Sequence, residues 1–208
     1  RANGVIAIPV REGDELLDAI MTNGQSEILL AGRHGRCCRF DENDARALGR
    51  TASGVRGINI DDDDEVIGMI AYDPTAEDAQ AHSLLVVSEH GYGKRSDFDE
   101  YRKTNRGGKG VKTLNITEKT GELVAMKNVT DENDLMIINR SGLTIRMAVA
   151  DIKVAGRATQ GVRLINIKEG DSIAAISAVN KTEEDVPQQP VEGAAEDQAS
   201  EPQNQINE

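Results

Sequence analysis

The chain has 208 residues, which is enough for one large domain or two small ones. Charged residues make up 29% of it, the formal net charge is −12, and no apolar run approaches the roughly eighteen residues of a membrane-spanning helix, so we expect a soluble protein without a membrane partner. Aromatic residues amount to 2%, so the core must be built from Ile, Val, Leu and Ala, which favours thin, repeated β-layers.

Two local features bear on where the chain comes from. It lacks an initiator Met and a signal-peptide pattern at Arg1-Ala2-Asn3, which predicts a piece of a longer protein. The cysteines Cys37 and Cys38 are neighbours, so an ordinary structural disulfide between them is ruled out. This cysteine usage fits a reducing compartment and predicts a cytoplasmic location.

The strongest signal is an internal repeat. A Gly-Val pair recurs at intervals of 50, 56 and 51 residues, at Gly4-Val5, Gly54-Val55, Gly110-Val111 and Gly161-Val162. Two further anchors recur in step with it: Gly-x-x-x-Arg at Gly35–Arg39, Gly91–Arg95 and Gly142–Arg146, and an arginine before the Gly-Val pair at Arg50, Arg106 and Arg157. We predict three full repeats and a partial fourth, with bounds at about 1–49, 50–105, 106–156 and 157–181.

In chain order, apolar spacing predicts strands in every repeat, beginning with the apolar positions Val5, Ile8 and Val10. Single helical turns are expected within 41–48 and 148–155, and the six extra residues of the second repeat near 73–82 are expected at a hairpin tip. The third repeat predicts four strands, at 111–116, 122–129, 134–139 and 143–147. Strands at 162–167 and 172–179 predict an incomplete last blade. Repeats of this length and strand content predict an all-β, propeller-like fold of four-stranded blades.

The last segment, residues 182–208, differs from the rest. It holds eight acidic residues and no Lys or Arg, which leaves residues 1–181 with a net charge of only −4. Because it has few large apolar residues, it cannot offset the entropy of ordering, and we predict a disordered acidic tail.

Basic residues recur at equivalent places in the repeats and predict a stripe that binds the phosphates of bent duplex DNA. The scarcity of aromatic residues argues against binding of single strands. In the alternative interpretation, the arginines pair with acids such as Glu12, Asp62 and Glu169 and only solubilise the surface. The candidate DNA-binding residues are Arg33, Arg36, Arg39, Arg50, Arg56, Lys94, Arg95, Arg106, Lys109, Lys112, Arg140, Arg146, Arg157 and Arg163.

Several motifs resemble the C-terminal domain of the DNA gyrase A protein over residues 1 to about 181. They are Gly49–Gly57, Gly91-Tyr92-Gly93-Lys94-Arg95, Arg106-Gly107-Gly108-Lys109-Gly110-Val111 after Glu100-Tyr101-Arg102, and Gly156–Val162 followed by the acidic tail. The resemblance implies a β-pinwheel that wraps duplex DNA, so that the parent ATP-dependent type II topoisomerase introduces negative supercoils. It also implies a nucleoid-associated location. For the parent enzyme it implies ATP and Mg²⁺ bound elsewhere, a second A protein as partner, and the gyrase B subunit.

The chain departs from the family pattern in ways that limit its own activity. The family's QRRGGKG-like box belongs to its first blade, whereas Arg106–Gly110 lies in a later repeat, so we expect the hallmark blade upstream of Arg1. Tyr72, Tyr92 and Tyr101 do not lie in a context like that of the family's nucleophile. We therefore expect no catalytic residue, cofactor or metal in this chain. The equivalent domain of the topoisomerase IV A protein is the nearest alternative.

Other functions stay open at this point. Asp61–Glu65 has the composition of a Ca²⁺ or Mg²⁺ site, but equivalent segments in other repeats predict a hairpin tip in solvent. A propeller-like scaffold for protein partners is the main alternative from another class, and an enzyme with a site at a propeller channel is a weaker one. Length- and salt-dependent binding of duplex DNA distinguishes the DNA-wrapping module from the scaffold.

Overall fold

The computed structural model describes residues 4–181, and the acidic tail predicted at 182–208 lies outside the described residues. Within that range the regular elements are eleven strands in three antiparallel sheets and four three-residue 3-10 turns. None of the described segments is a helix long and apolar enough to cross a membrane. The predicted all-β class is confirmed, as are four-stranded sheets.

The strands fall into three sheets. Sheet 1 has the strand order β3-β1-β2-β6, sheet 2 has β10-β5-β4-β7, and sheet 3 has β11-β8-β9. The strands are β1 (Glu27–Gly32), β2 (Arg36–Asp41), β3 (Val66–Tyr72), β4 (Ser83–Ser88), β5 (Tyr92–Ser96), β6 (Val111–Lys112), β7 (Leu123–Val129), β8 (Asn133–Asn139), β9 (Thr144–Ala148), β10 (Val162–Arg163) and β11 (Ile173–Asn180). The 3-10 turns are Glu42–Asp44, Ala79–Ala81, Phe98–Glu100 and Val149–Asp151, so a helical turn is present in both segments where one was predicted.

The sheets do not coincide with the repeats of the sequence. The third repeat contributes β6 to sheet 1, β7 to sheet 2, and the hairpin β8–β9 to sheet 3. Sheets 1 and 2 each contain a hairpin, a strand from the next repeat beside its first strand, and a two-residue strand from the repeat after that beside its second. Within residues 4–181 the last sheet has three strands, as expected for an incomplete last blade. Its composition differs from the prediction, because β10 completes sheet 2 and β11 joins the hairpin β8–β9.

A glycine allows each two-residue strand to reach its partner sheet. Gly110, just before β6, has a φ of +67°, and a Cβ at this position would lie 2.3 Å from the carbonyl oxygen of Cys37. Gly161, just before β10, has a φ of +77°, and a Cβ there would lie 2.5 Å from the carbonyl oxygen of Gly93. No side chain other than hydrogen fits such a contact, so sheet closure requires glycine at positions 110 and 161.

The core lies between neighbouring sheets rather than inside any one of them. Every residue of β4 is buried. Alternate side chains of a strand point to opposite faces, and both faces of β4 are covered by a core. Leu84 and Val86 belong to the core shared with sheet 1, and Leu85 and Val87 belong to the core shared with sheet 3. A strand buried on both faces has a continuous apolar sequence, as this one does.

Two predictions about elements are wrong. Residues 73–82 connect β3 of sheet 1 to β4 of sheet 2, so they link two sheets and do not cap a hairpin; Ala79 of this segment is buried in the core between them. Residues 4–25 form no strand, and Val5, Ile8 and Val10 are 61%, 45% and 51% exposed. The segment after a later Gly-Val pair forms a strand by pairing with an earlier hairpin, as β6 does with β2. The described residues contain no hairpin before β1, so residues 4–181 hold no such partner for Val5, Ile8 and Val10.

Candidate nucleic-acid interface

Three connecting loops carry a charge pattern unlike that of the rest of the chain. We name them loop A (residues 45–60), loop B (residues 101–117) and loop C (residues 152–167); each follows a 3-10 turn, and loops B and C include β6 and β10. None of the three contains an acidic residue, although the whole chain has more acids than bases. Together they hold eleven cations: Arg46, Arg50, Arg56, Arg102, Lys103, Arg106, Lys109, Lys112, Lys153, Arg157 and Arg163.

The three loops are hydrogen-bonded to one another in series. In loop B, Arg106 Nη1 donates to the carbonyl oxygen of Arg56 at 3.0 Å, and the loop A amide of Asn59 donates to Gly108 O at 2.9 Å. Loop C repeats the first contact, since Arg157 Nη1 donates to the carbonyl oxygen of Lys112 at 3.0 Å. The loops therefore form one continuous surface, which we call the basic band.

Three cations of the band are held by neutral amides. Arg56 donates to Asn59 Oδ1 at 3.4 Å, Lys112 to Asn115 Oδ1 at 3.2 Å, and Arg163 to Asn166 Oδ1 at 3.2 Å. All three cations are exposed. An amide oxygen orients the cation without neutralising its charge, so these side chains keep their positive potential for an incoming anion.

Side chains of the hairpins extend the band. Arg36 of β2 lies opposite Lys112 and donates to the carbonyl oxygens of Lys109 and Gly110 at 2.9 and 2.8 Å. A cleft of about 370 Å³ opens beside it, lined by Arg36, Arg102, Lys109 and the backbone of Gly108 and Gly110. The cleft has the cationic side chains and accessible backbone of a phosphate site.

In sheet 2 the residue equivalent to Arg36 is Tyr92. Arg163 stacks on its ring at 5.3 Å and donates to its hydroxyl from Nη2 at 2.7 Å, and Lys119 lies 5.4 Å from the same ring. The hydrogen bond from Arg163 lowers the pKa of the Tyr92 hydroxyl. Sheet 2 thus presents a tyrosine between two cations next to the basic band.

The structure separates the predicted DNA-binding residues into three groups. Those on the basic band or beside it and exposed are Arg36, Arg50, Arg56, Lys109, Lys112 and Arg163, while Arg106 and Arg157 are half-buried there. Outside the band lie Arg33, which pairs with Glu122 at 2.9 Å, Arg140, on the turn between β8 and β9, and Arg146, which pairs with Asp134 at 2.7 Å. The third group, Arg39, Lys94 and Arg95, is buried.

Burial removes this third group from the candidate contacts. Arg39 and Arg95 are 8% and 7% exposed and donate to backbone carbonyls of the following repeat. Lys94 is fully buried, and its ammonium donates to the carbonyl oxygen of Gly156 at 2.6 Å. We correct the sequence interpretation accordingly: these three cations bind the protein's own backbone and are too deeply buried to reach a phosphate.

The sequence interpretation also missed residues of the band. The exposed cations Arg46, Arg102 and Lys153 follow the 3-10 turns of successive repeats at intervals of 56 and 51 residues. The asparagines Asn59, Asn115 and Asn166 recur at the same intervals. The periodic signal was available in both cases, but a search restricted to glycine and arginine anchors does not find it.

One cation of the band pairs with acids outside the three loops: Lys103 lies 3.2 Å from Glu27 and 2.7 Å from Asp41. Within residues 4–181, no ion pair links Glu12, Asp62 or Glu169 to the cations of the three loops.

Cys37 and Cys38 belong to different cores, on opposite faces of β2. The described part of the chain contains no group of three or more His, Cys, Asp or Glu side chains placed to hold a metal ion.

Propeller-like sheets that share a continuous, acid-free cationic band define a class of protein: a β-repeat domain with a surface for a polyanion. The sequence pattern of the family described as "DNA gyrase C-terminal domain, beta-propeller" matches residues 1–23, 26–73, 82–130 and 133–180. The chain belongs to this family, which confirms the resemblance stated above.

Two proteins with sequences similar to this chain are DNA gyrase A proteins. The chain is 46% identical over 183 residues to the DNA gyrase A protein of Staphylococcus aureus (strain NCTC 8325 / PS 47) and 44% identical over 182 residues to that of Staphylococcus epidermidis. Each alignment covers 88% of this chain and 20% of the relative, so the chain spans about a fifth of their length.

Solved structures show the same fold. The C-terminal domain of DNA topoisomerase IV matches with a TM-score of 0.76 and 21% identity, over 84% of this chain and 53% of that one. A DNA gyrase A C-terminal domain matches with a TM-score of 0.74 and 21% identity, over 85% of this chain and 58% of that one. Three of the four segments that match the family, 26–73, 82–130 and 133–180, begin within one residue of the first strand of a hairpin.

Proposed function

We propose that this chain is a non-catalytic module that binds duplex DNA along the basic band and bends it, as part of a DNA gyrase A protein. One observation carries the proposal: three loops from successive repeats, bonded in series, hold eleven cations and no acid. A surface of this kind neutralises successive phosphates and releases their counterions. The alternative of a protein-interaction scaffold is not favoured by the family to which the chain belongs.

Binding through the band is independent of base sequence. The contacts available are Arg, Lys and backbone groups on loops, and the helical elements within residues 4–181 are 3-10 turns of three residues. Such turns are too short to place a recognition helix in a major groove. Selectivity among sequences arises from how easily the DNA bends.

In the parent protein, this module presents bent DNA to a cleavage site elsewhere in the A protein, and the result is negative supercoiling. Mg²⁺ and two further proteins, a second A protein and the ATP-hydrolysing gyrase B subunit, act outside this chain. The complex works in the cytoplasm on the nucleoid. These parts of the proposal come from family membership.

The test measures affinity for duplexes of about 20 and about 150 base pairs at several salt concentrations. The triple variant Arg56→Gln, Lys112→Gln, Arg163→Gln removes the amide-held cations of the band. We expect it to lower the slope of log affinity against log salt by about 3, since each lost phosphate contact removes about 0.9. Arg106 and Arg157 are unsuitable here, because their loss also detaches neighbouring loops.

The matched control is Arg11→Gln, Lys127→Gln, Lys168→Gln, which removes the same charge from exposed positions outside the three loops. We expect the control to keep the slope of the unmodified chain within about one phosphate contact. Equal slopes for the two triple variants, or equal affinity for both duplex lengths, would contradict the proposal.

A further inference from the structure

Two of the three arginines of the Gly-x-x-x-Arg repeat, Arg39 and Arg95, are buried between sheets. Arg39 belongs to β2 of sheet 1, yet its Nη1 donates to the carbonyl oxygens of Phe98 and Tyr101, at 3.0 Å for Tyr101. Phe98 is the first residue of the 3-10 turn that follows sheet 2's hairpin, and Tyr101 comes directly after that turn. The Nε of Arg39 binds Glu27 of its own sheet, so one guanidinium connects both sheets.

Arg95 repeats this arrangement one sheet further on. It belongs to β5 of sheet 2, its Nε donates to the carbonyl oxygen of Ile152 at 2.9 Å, and its Nη1 binds Asp131 in the turn between β7 and β8. The backbone of both arginines takes part as well: Arg39 O accepts from Thr104 N at 2.9 Å and Arg95 O from Ala155 N at 2.8 Å.

The segments that these arginines hold lead directly into the basic band. Tyr101 and Ile152 are the first residues of loops B and C. A planar guanidinium with several donors in fixed directions constrains both position and angle, which a single ammonium does not. Losing it also leaves buried carbonyls without partners.

We propose that Arg39 and Arg95 are positioning residues that set the angle between neighbouring sheets, and through it the curvature of the basic band and the bend of bound DNA. The part concerning DNA rests on the proposed function. The sheet angle is a property of the protein alone.

The first experiment measures the sheet angle without DNA, by the distance distribution between spin labels at Lys127→Cys in sheet 2 and Ser177→Cys in sheet 3. Both positions are exposed, and the native Cys37 and Cys38 are buried and do not compete for label. Arg95→Lys is expected to broaden the distribution and shift its mean. An unchanged distribution in Arg95→Lys would overturn the inference.

A second variant guards against misfolding of Arg95→Lys. The Asp131 side chain is 72% exposed, so Asp131→Ala removes a partner of Arg95 without opening the core. The control is Glu132→Ala, which makes the same charge change at the next residue of the same exposed turn. We expect Asp131→Ala to broaden the label distances and Glu132→Ala to leave them unchanged; equal behaviour would count against the inference.

The second experiment measures DNA. Arg95→Lys is expected to reduce the bend of the long duplex, read by energy transfer between its ends, and to keep affinity for the short duplex within about twofold with an unchanged salt slope. Weaker binding of the short duplex with unchanged label distances would make Arg95 a DNA contact and overturn the inference. Altered label distances in a chain that binds no DNA would support the sheet-angle role and contradict the proposed function.

Discussion

At the residue scale, a recurring arginine does not reveal what it binds. The repeats predicted both Arg39 and Arg56 as DNA contacts, and the periodic evidence for the two was equal. The structure buries Arg39 against carbonyls of the next repeat and leaves Arg56 exposed beside Asn59. A carbonyl that Arg39 binds belongs to Tyr101, which lies 62 residues later in the chain, so the sequence around Arg39 carries no sign of it.

Lys94 gives a prediction about pH. Burial is the main cause that lowers its pKa from 10.5 to about 8; nearby Glu100 opposes the shift and Arg157 adds to it. Between pH 8 and 10.5 the unfolded chain binds more protons at this site than the folded chain, so the free energy of unfolding rises with pH there. We expect the unmodified chain to gain about 1 kcal/mol between pH 7 and 9 relative to Lys94→Met.

The measurement is urea unfolding of both proteins at pH 7, 8 and 9, compared as a difference. The comparison is needed because burial raises the pKa of the Cys37 thiol, so stability from Cys37 is lost as pH rises above its unfolded pKa of about 9. Cys37 is present in both proteins and cancels. A difference that stays constant with pH would show that the Lys94 ammonium is not destabilised by burial.

At the element scale, the positions of the longer strands could be predicted from the sequence, but the shortness of β6 and β10 and the membership of each sheet could not. Alternating apolar residues placed β7, β8 and β9 to within a residue or two. Nothing near Val111–Lys112 indicates that this two-residue strand joins a hairpin more than seventy residues earlier, because the determinant is the space at Gly110 beside Cys37. Contacts of this kind are a property of the packed structure.

The same glycine gives a prediction with an internal control. Gly110→Ala places a Cβ 2.3 Å from Cys37 O, whereas Gly54 has a similar φ of +78° with nothing within 4 Å of its Cβ position. Backbone strain costs both variants about 1 kcal/mol or more, and the clash adds roughly 1–3 kcal/mol to Gly110→Ala alone. Thermal or urea unfolding of the two variants measures the difference. Equal losses would mean that β6 can retreat from β2 at no cost.

At the scale of the whole molecule, charge is distributed unevenly. Residues 182–208 carry eight of the 36 acids, and the three loops of the basic band carry none. The band was recognised from the sequence only in part, because the net charge of −12 hides it and several of its cations recur without a glycine anchor. Loop-to-loop hydrogen bonds bring the three segments together.

The acidic segment gives a prediction for the complete chain. Tethered acids compete with DNA for the basic band at high effective concentration, so deletion of residues 182–208 is expected to tighten duplex binding at low salt. The gain should shrink as salt screens both partners. Binding titrations of chains 1–181 and 1–208 at two salt concentrations measure it; identical affinities at low salt would leave the segment without a part in binding.

The last strand of sheet 1 is encoded far downstream of its hairpin, and this has a consequence for folding during translation. When the ribosome has made Asp41, the hairpin β1–β2 is complete, but the partner of β2 ends at Lys112, 71 residues later. At about 5–20 residues per second, the outer edge of β2 stays unpaired for roughly 4–14 seconds of translation. Sheets 1 and 2 are therefore each finished only after the hairpin of the next sheet has emerged, and until then the nascent chain carries an open strand edge.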